Sequence, residues 1–598
     1  MGMGVSHGGE VGGGLAVEGD PRAQLRGAVA EASRAVYFGN EAKGGGGGGV
    51  LGAVGRATQA GAKMVAPAAF QMLVVLLALM GPASVEAAQG EVNYFLIFTV
   101  VVLSILTVVV SVYLLIIFQH PDDDNQAFFP KILVVVGLSL SILFTLMLPL
   151  DVANRKACGD RLVDYYDCDV TMPMTEMWYS IYTIMFVCIL IIIPFAIFYY
   201  EQDQELSTTE RMGNAASWVA VTTLVMGLCV GLGWFYLGYV DYTVDELSSP
   251  LVPASEIIDG AQCYALRNGE QDDCNGQRGG RAVLWSIRAS VFVFIIAIGS
   301  IGGWLLFMAF AGVGVIAMPI DLIFAFIYRP RSTISRAQYA KECLSLYMRA
   351  REIKEAGMKL RDLQKAGQVN SKWRRNRAKL KKAILVLEGD EDYLNSLYPQ
   401  GEGDPWLVTQ VKALGSLVLG VLSVGASASW LLHIVVYMLV QPPPSAFLND
   451  LFIELDAAWP LLGTVTFALF AFYMMCCVIL GNITVGFNLI VTTIHPMKVG
   501  GTYMSSFLFN VCLILLCSTA SIQFCASAFD LFVAETDVGL IFGNQLESLR
   551  GVHYLFKNNV FVFTFFGLAM LTLIYKLLVG VPDPAVEFRK QRALDYDD

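Results

Sequence analysis

Nine long apolar stretches, interrupted once by a basic block, constrain this chain more than any other feature. They fall at about residues 93–118, 132–150, 178–199, 218–240, 285–310, 414–440, 459–480, 505–528 and 560–579. A helix rising 1.5 Å per residue crosses about 30 Å of hydrocarbon in roughly 20 residues, and each stretch is near or above that length. In lipid every backbone N–H and C=O must be paired inside the segment, so the stretches are expected to be helical. Of the 598 residues, 56% are hydrophobic and 15% charged, against about 25% charged in soluble domains. The mean hydropathy is +0.58. The expected fold is all-α: a polytopic transmembrane helix bundle of about nine spans in a lipid bilayer, carrying a cytosolic antiparallel helical hairpin.

That hairpin is the basic block, residues 329–410, between a five-span half (91–328) and a four-span half (411–580). Lys and Arg keep short loops in the cytosol. Counting outward from the block, the loops after the second and fourth spans fall outside. They hold Cys158 with Cys168, and Cys263 with Cys274, spacings that suit disulfides in an oxidising compartment. The remaining eight cysteines read as small apolar filler. The tail, 581–598 with Arg589, Lys590 and Arg592, is expected in the cytosol. No nucleic-acid motif accompanies the basic block, so nucleic acid is not an expected partner.

Residues 1–62 are Gly- and Ala-rich, include the run 44–49, and read as disordered for want of a sustained apolar period. Residues 63–90 follow signal-peptide grammar: Lys63, an apolar core at 70–80, then Ala83-Ser84-Val85-Glu86-Ala87-Ala88. Cleavage there leaves the mature N-terminus outside. An anchor helix that is retained is the alternative reading of the same segment.

Two apolar runs exceed one crossing. In 285–328, Gly312, Gly314 and Pro319 are expected break points, and in 459–497 Gly481-Asn482 plays that part. Such pairs either mark a transporter-type binding site or are helices that run past the membrane. In the basic block, Tyr339, Cys343, Leu346, Ala350, Ile353, Gly357 and Leu360 alternate at four and three, a heptad seam. After a polar break at 367–370, Trp373, Leu380, Ile384, Leu387 and Leu394 mark one face of a second helix. The cluster Lys372, Arg374, Arg375, Arg377, Lys379, Lys381 and Lys382 has three readings. It binds anionic headgroups at about 1 kcal/mol per residue, or forms a solvated face that sets topology, or docks a partner.

Polar side chains are scarce inside the spans. Asp321, His433, Asn482, Asn488 and Asn510 are the candidates for a ligand or proton path. Each is equally readable as a hydrogen-bonded packing group. Gly227 with Gly231, and Gly299 with Gly303, stand at the spacing that lets helices approach closely. No nucleotide, zinc, hydrolase or other cofactor motif occurs, and no nucleophile has an identifiable base, so an enzyme is not expected.

Short polar motifs flank the spans. They are His120-Pro-Asp-Asp-Asp-Asn-Gln-Ala-Phe-Phe-Pro-Lys131, Leu148-Pro-Leu-Asp-Val-Ala-Asn154, Pro194-Phe-Ala-Ile-Phe-Tyr-Tyr-Glu201 and Tyr398-Pro-Gln-Gly-Glu402. Thr493-Ile-His-Pro-Met-Lys498, Ser505-Ser-Phe-Leu-Phe-Asn510 and Ser548-Leu-Arg-Gly551 continue the series. Over about 93–579 the chain closely resembles the plant-type LIMR proteins, a limb-region and lipocalin-receptor-like membrane family. The resemblance implies nine spans around a central cytosolic loop. It also implies one of three roles: receptor for a secreted lipocalin-like ligand, export factor beside an ABC transporter, or signalling modulator with a cytosolic adaptor. It assigns no catalytic or ligand residue and no cofactor. The loop from His120 through Asp122 and Asp123 to Lys131, held between two prolines, is the expected cytosolic contact. A receptor or trafficking factor in the plasma membrane or endolysosome is the leading expectation, and a small-solute carrier the alternative.

Overall fold

The computed structural model of the chain describes residues 21–36, 94–119, 128–157, 173–202, 207–246, 281–329, 333–366, 371–398, 406–440, 442–459, 461–485, 487–489, 492–494, 497, 502–534, 536–539, 549–550, 553–581 and 583. Among these, nine helices are long and apolar enough to cross a membrane. After α1 (Pro21–Val36) the first half runs through α2 (Tyr94–Phe118) and α3 (Phe128–Ala157). A third crossing joins α4 (Met174–Val187) to α5 (Ile193–Glu201) through a π-helical turn (Cys188–Ile192). Then come α6 (Thr208–Leu237), the antiparallel ribbon β1 (Tyr239–Glu246) and β2 (Arg281–Arg288), and α7 (Val291–Ile327). The hairpin is α8 (Arg336–Lys365) with α9 (Ser371–Leu397). The second half holds α10 (Trp406–His433) with a π-helical end (Ile434–Leu439), α11 (Phe447–Ala458) and α12 (Leu462–Val485). It continues with a short ribbon of β3 (Phe487–Leu489) and β4 (Thr492–Ile494), α13 (Met504–Ala528), α14 (Asp530–Val533), α15 (Asp537–Gly539), α16 (His553–Lys557) and α17 (Val560–Val579).

Helix α13 is the hub, with 83% of its apolar window buried, whereas α6 buries only 11% and leaves the rest to lipid. Between helices in lipid the hydrophobic effect gives little, so close backbone approach and dispersion must do the joining. The α7–α12 crossing shows how. A Cβ on Gly314 would sit 1.9 Å from the Cys477 carbonyl oxygen, and one on Gly481 would sit 1.8 Å from that of Phe310. These glycines therefore create contact and not the breaks expected of them. Helix α7 runs unbroken for 37 residues through Gly312, Gly314 and Pro319, and α12 runs through Gly481-Asn482. Gly303 likewise meets the Leu516 carbonyl, while Gly227 and Gly231 on α6 have nothing within 4 Å. Among the described residues, only one of the two glycine pairs is thus used.

Pro319 removes the donor that would pair with the carbonyl four residues back. Ser427 Oγ of α10 supplies the replacement, donating to Val315 O. At 1.5 Å per residue α7 is about 55 Å long, well beyond the hydrocarbon, so the extended-helix reading of 285–328 is the one realised.

The hairpin is antiparallel, fixed by Tyr339 Oη donating to Asn395 (2.9 Å), Arg349 pairing with Asp390 (3.2 Å) and Trp373 Nε1 donating to Leu360 O (2.8 Å). Its seam buries Tyr339, Cys343, Leu346 and Ala350 against Ile384, Leu387 and Leu394, as the spacing predicts. Helix α1 departs from expectation. Within a leader expected to lack structure, Leu25, Val29, Ala32 and Val36 form a stripe buried in the same cluster. Four apolar residues at a four-three-four spacing suffice when a groove is present to receive them.

Candidate functional site

The bundle has two ends, tied by different contacts. At the hairpin end, Thr502 N donates to Phe118 O (3.1 Å) and Tyr328 Oη to Val581 O (3.1 Å). At the opposite end, Asp151 accepts from Trp178 Nε1 and from Val538 N, both at 3.0 Å. One carboxylate there joins α3, α4 and the turn α15. Arg550 donates to both oxygens of Asp241 at 2.9 Å and to Ser286 Oγ at 2.9 Å, locking residues 549–550 onto the β1–β2 ribbon. Its guanidinium holds the Asp241 carboxyl below the ordinary carboxylate range. Asp151 and Arg550 belong to the motifs Leu148–Asn154 and Ser548–Gly551, which are therefore structural joints.

A cavity of about 380 Å³ opens at this opposite end. Its walls include Trp304, Tyr437, Met438, Asp530, Phe556 and Phe561. Tyr437 and Met438 belong to the π-helical end of α10, where an extra residue per turn shifts the side-chain register, a feature frequent at functional sites. Tyr437 Oη donates to the Asp530 carboxylate at the rim. Trp304 stacks on Phe561 with centroids 5.1 Å apart and donates to Gln523 Oε1 at 2.9 Å. Gln523 is fully buried, and its Nε2 has no hydrogen-bond partner among the described residues. Asn559 adopts a left-handed conformation (φ 51°) at the head of α17 and donates to Met438 O at 2.9 Å, closing the adjoining wall.

His433 is fully buried and does not line the cavity. It stacks between Tyr437 (5.0 Å) and Phe529 (5.2 Å), with Phe447 edge-on, and its Nε2 lies 2.8 Å from Ala528 O. Its Nδ1 is buried without a hydrogen-bond partner among the described residues. Asp321 lies towards the hairpin end, where Lys576 Nζ of α17 meets it at 2.7 Å with both side chains buried. Asn482 Nδ2 donates to Asn510 Oδ1 at 3.1 Å across the α12–α13 contact, and Asn510 Nδ2 donates to Ser506 O. Asn488 stands opposite Thr493 in the short ribbon, its side chain outside the described set. The five expected path residues are thus distributed over both ends and over separate helix contacts.

Cys158, Cys168, Cys263, Cys274, His120, Asp122 and Asp123 lie outside the described residues, and Lys131 sits half-buried in the first turn of α3. On α9, Arg375, Lys379 and Lys382 are exposed, and Arg377 packs over the Trp373 ring at 5.2 Å. The side chains of Arg374 and Lys381 are not among those described. Lys576, Gln523, Trp304 and Asp530 escaped the sequence reading. A lysine in an otherwise apolar span, opposite in sign to Asp321, was the signal for the first.

Comparison with known proteins bears directly on this architecture. A profile of LMBR1-like membrane proteins matches residues 95–385 and 360–574. A LIMR family protein of Oryza sativa subsp. japonica is 44% identical over 498 residues, covering 82% of this chain and 97% of that protein. One of Arabidopsis thaliana is 42% identical over 496 residues (82% and 97%), and one of Dictyostelium discoideum 31% over 522 residues (83% and 99%). No solved structure matches significantly. With the profile spanning all nine apolar helices and these relatives matched almost end to end, the chain belongs to the LMBR1-like, LIMR family of multi-pass membrane proteins.

Proposed function

We propose that this protein is a non-enzymatic receptor or trafficking factor. It takes a small amphipathic ligand at the outer end of the bundle and passes the event to a partner at the hairpin end. The cavity carries the reading. Its volume of about 380 Å³ lies in the range of small-molecule sites, and Tyr437, Ser527, Asp530 and Asn559 make its exposed wall more polar than apolar. Aromatic walls and the Asp530–Tyr437 pair favour a ligand with a flat apolar body and one donor or cationic group. The positive-inside rule puts the basic hairpin in the cytosol and the cavity outside or in a lumen. A secreted lipocalin-like carrier is then a fitting source of ligand, and a cytosolic adaptor or an ABC transporter a fitting partner. Plasma membrane is the preferred location, with the endolysosome as the other.

The test is ligand binding to full-length protein in lipid nanodiscs, read by tryptophan fluorescence over a panel of small amphipathic cations and aromatic alcohols. Saturable quenching is expected, weakened about tenfold or more in Asp530→Asn, which removes one charge-assisted hydrogen bond. No saturable binder in the panel, or equal affinity in the variant, would remove the cavity from the account.

A carrier is the second reading, favoured by one observation: the buried Nδ1 of His433 lacks a hydrogen-bond partner among the described residues, and ionisable groups at membrane depth often serve proton relays. Proteoliposomes should then show saturable flux that falls in His433→Ala. Flux that is absent, or unchanged in the variant, counts against it.

A further inference from the structure

Helix α1 docks on the hairpin by shape, charge and a glycine. Leu25, Val29, Ala32 and Val36 enter the apolar seam with Leu346 and Ile384. Glu31 pairs with Lys354 on one flank, and Arg26 Nε reaches Glu391 at 3.8 Å on the other. At Gly357 the two backbones nearly touch: a Cβ there would sit 2.8 Å from Ala35 O and 3.1 Å from Ala35 Cβ. This is helix-in-groove recognition, with anchors four, three and four residues apart.

Its position fixes a parity. The carboxyl end of α2 is at the hairpin end, because Phe118 O accepts from Thr502 N. Tyr94 therefore lies at the opposite end, about 37 Å away along 25 helical residues. Helix α1 is at the hairpin end, so Val36 and Tyr94 lie at opposite ends of the bundle. In that interval the longest run free of Asp, Glu, Lys and Arg is 64–85, long enough to span. Arg56 and Lys63 precede it and Glu86 and Glu91 follow it, the arrangement that keeps the preceding flank in the cytosol.

We propose that α1 remains part of the mature protein as the in-chain occupant of the α8–α9 groove, at the hairpin end of the bundle. Helix α1 precedes the family-profile match, which begins at residue 95. The docked segment thus lies outside the matched region, and the groove that receives it lies within it. The inference is independent of the receptor reading, since it needs only the nine spans and the docked helix.

The test uses full-length protein with one tag ahead of Pro21, one inserted at residues 367–370 and one at the carboxyl terminus, expressed in cells. A single full-mass species carrying all three tags is expected. The first two should become accessible together when only the cytosolic face is opened. In isolated membranes Glu31→Cys with Lys354→Cys should cross-link within one chain through a short bismaleimide, and adding Val29→Asp and Ala32→Asp should cut the yield at least tenfold. The charge-swapped pair Glu31→Lys with Lys354→Glu should stay docked, as read by retained protease resistance of residues 21–36. Loss of the first tag by cleavage, its exposure on the opposite face, or a cross-link absent or indifferent to the aspartates would each overturn the proposal.

Discussion

At Pro319 a single missing hydrogen bond is made good by a side chain more than a hundred residues away, Ser427. Ser427→Ala leaves the Val315 carbonyl buried and unpaired, and should destabilise by about 1–3 kcal/mol. Pro319→Ala restores the intrahelical donor, so the serine should matter much less in that background. Thermal melting of the four detergent-purified proteins of this cycle gives the coupling; equal losses in both backgrounds would show that the carbonyl is not what the serine serves. The Asp321–Lys576 pair obeys a related asymmetry. Lys576→Met strands a buried carboxylate and should lose about 3–5 kcal/mol, whereas Asp321→Leu with Lys576→Met should recover most of it. A double variant no more stable than the single would mean the pair contributes more than mutual neutralisation. Residue roles of this kind were the least legible part of the sequence. Asp321 was visible, but its partner lies 255 residues on. His433 was visible too, but the rings of Phe447 and Phe529 that absorb it are brought in by other helices.

Among elements, glycine separates contacts made inside the chain from faces left to lipid. Gly481→Ala must push apart α7 and α12 and should destabilise by about 1–3 kcal/mol. Gly227→Ala on α6 meets open space and should stay within about 0.5 kcal/mol. Melting temperatures of the two variants check this, and similar shifts for both would refute the packing account. The ribbon β1–β2 depends instead on charge. Because Arg550 lowers the folded-state pKa of Asp241, the clamp contributes stability above the ordinary value of 3.8 and loses it as pH falls through the lowered value. Hydrogen exchange of 239–246, taken relative to the intrinsic rate at each pH, should therefore be slow and level from about pH 7 to pH 5, then rise in stronger acid. In Arg550→Ala it should be fast throughout. A rise already at lysosomal pH would contradict this assignment. Spans and hairpin were legible because apolar length and heptad spacing are local properties. The joints at Asp151 and Arg550 were visible only as motifs, since their meaning is set by which loops meet.

At the scale of the molecule, nine crossings and a hairpin followed from hydropathy and charge, whereas the continuity of α7 did not. Glycine and proline weaken a helix in water, but here neighbouring helices occupy the glycines and a serine serves the proline. That continuity has a mechanical meaning. Trp304, thirteen residues in from the start of α7, lies in the cavity wall, and the far end leads within nine residues to the first turn of α8. The rod as a whole is about 55 Å long. Gripped near its middle by α12, at Phe310 and at Gly314, it can work as a beam on a fulcrum. A tilt of about 5° displaces each tip by roughly 2–3 Å for a rod of that length, in opposite directions. A tilt of this rod would return motion at one end of the bundle at the other with its sense reversed, and without any hinge along the way.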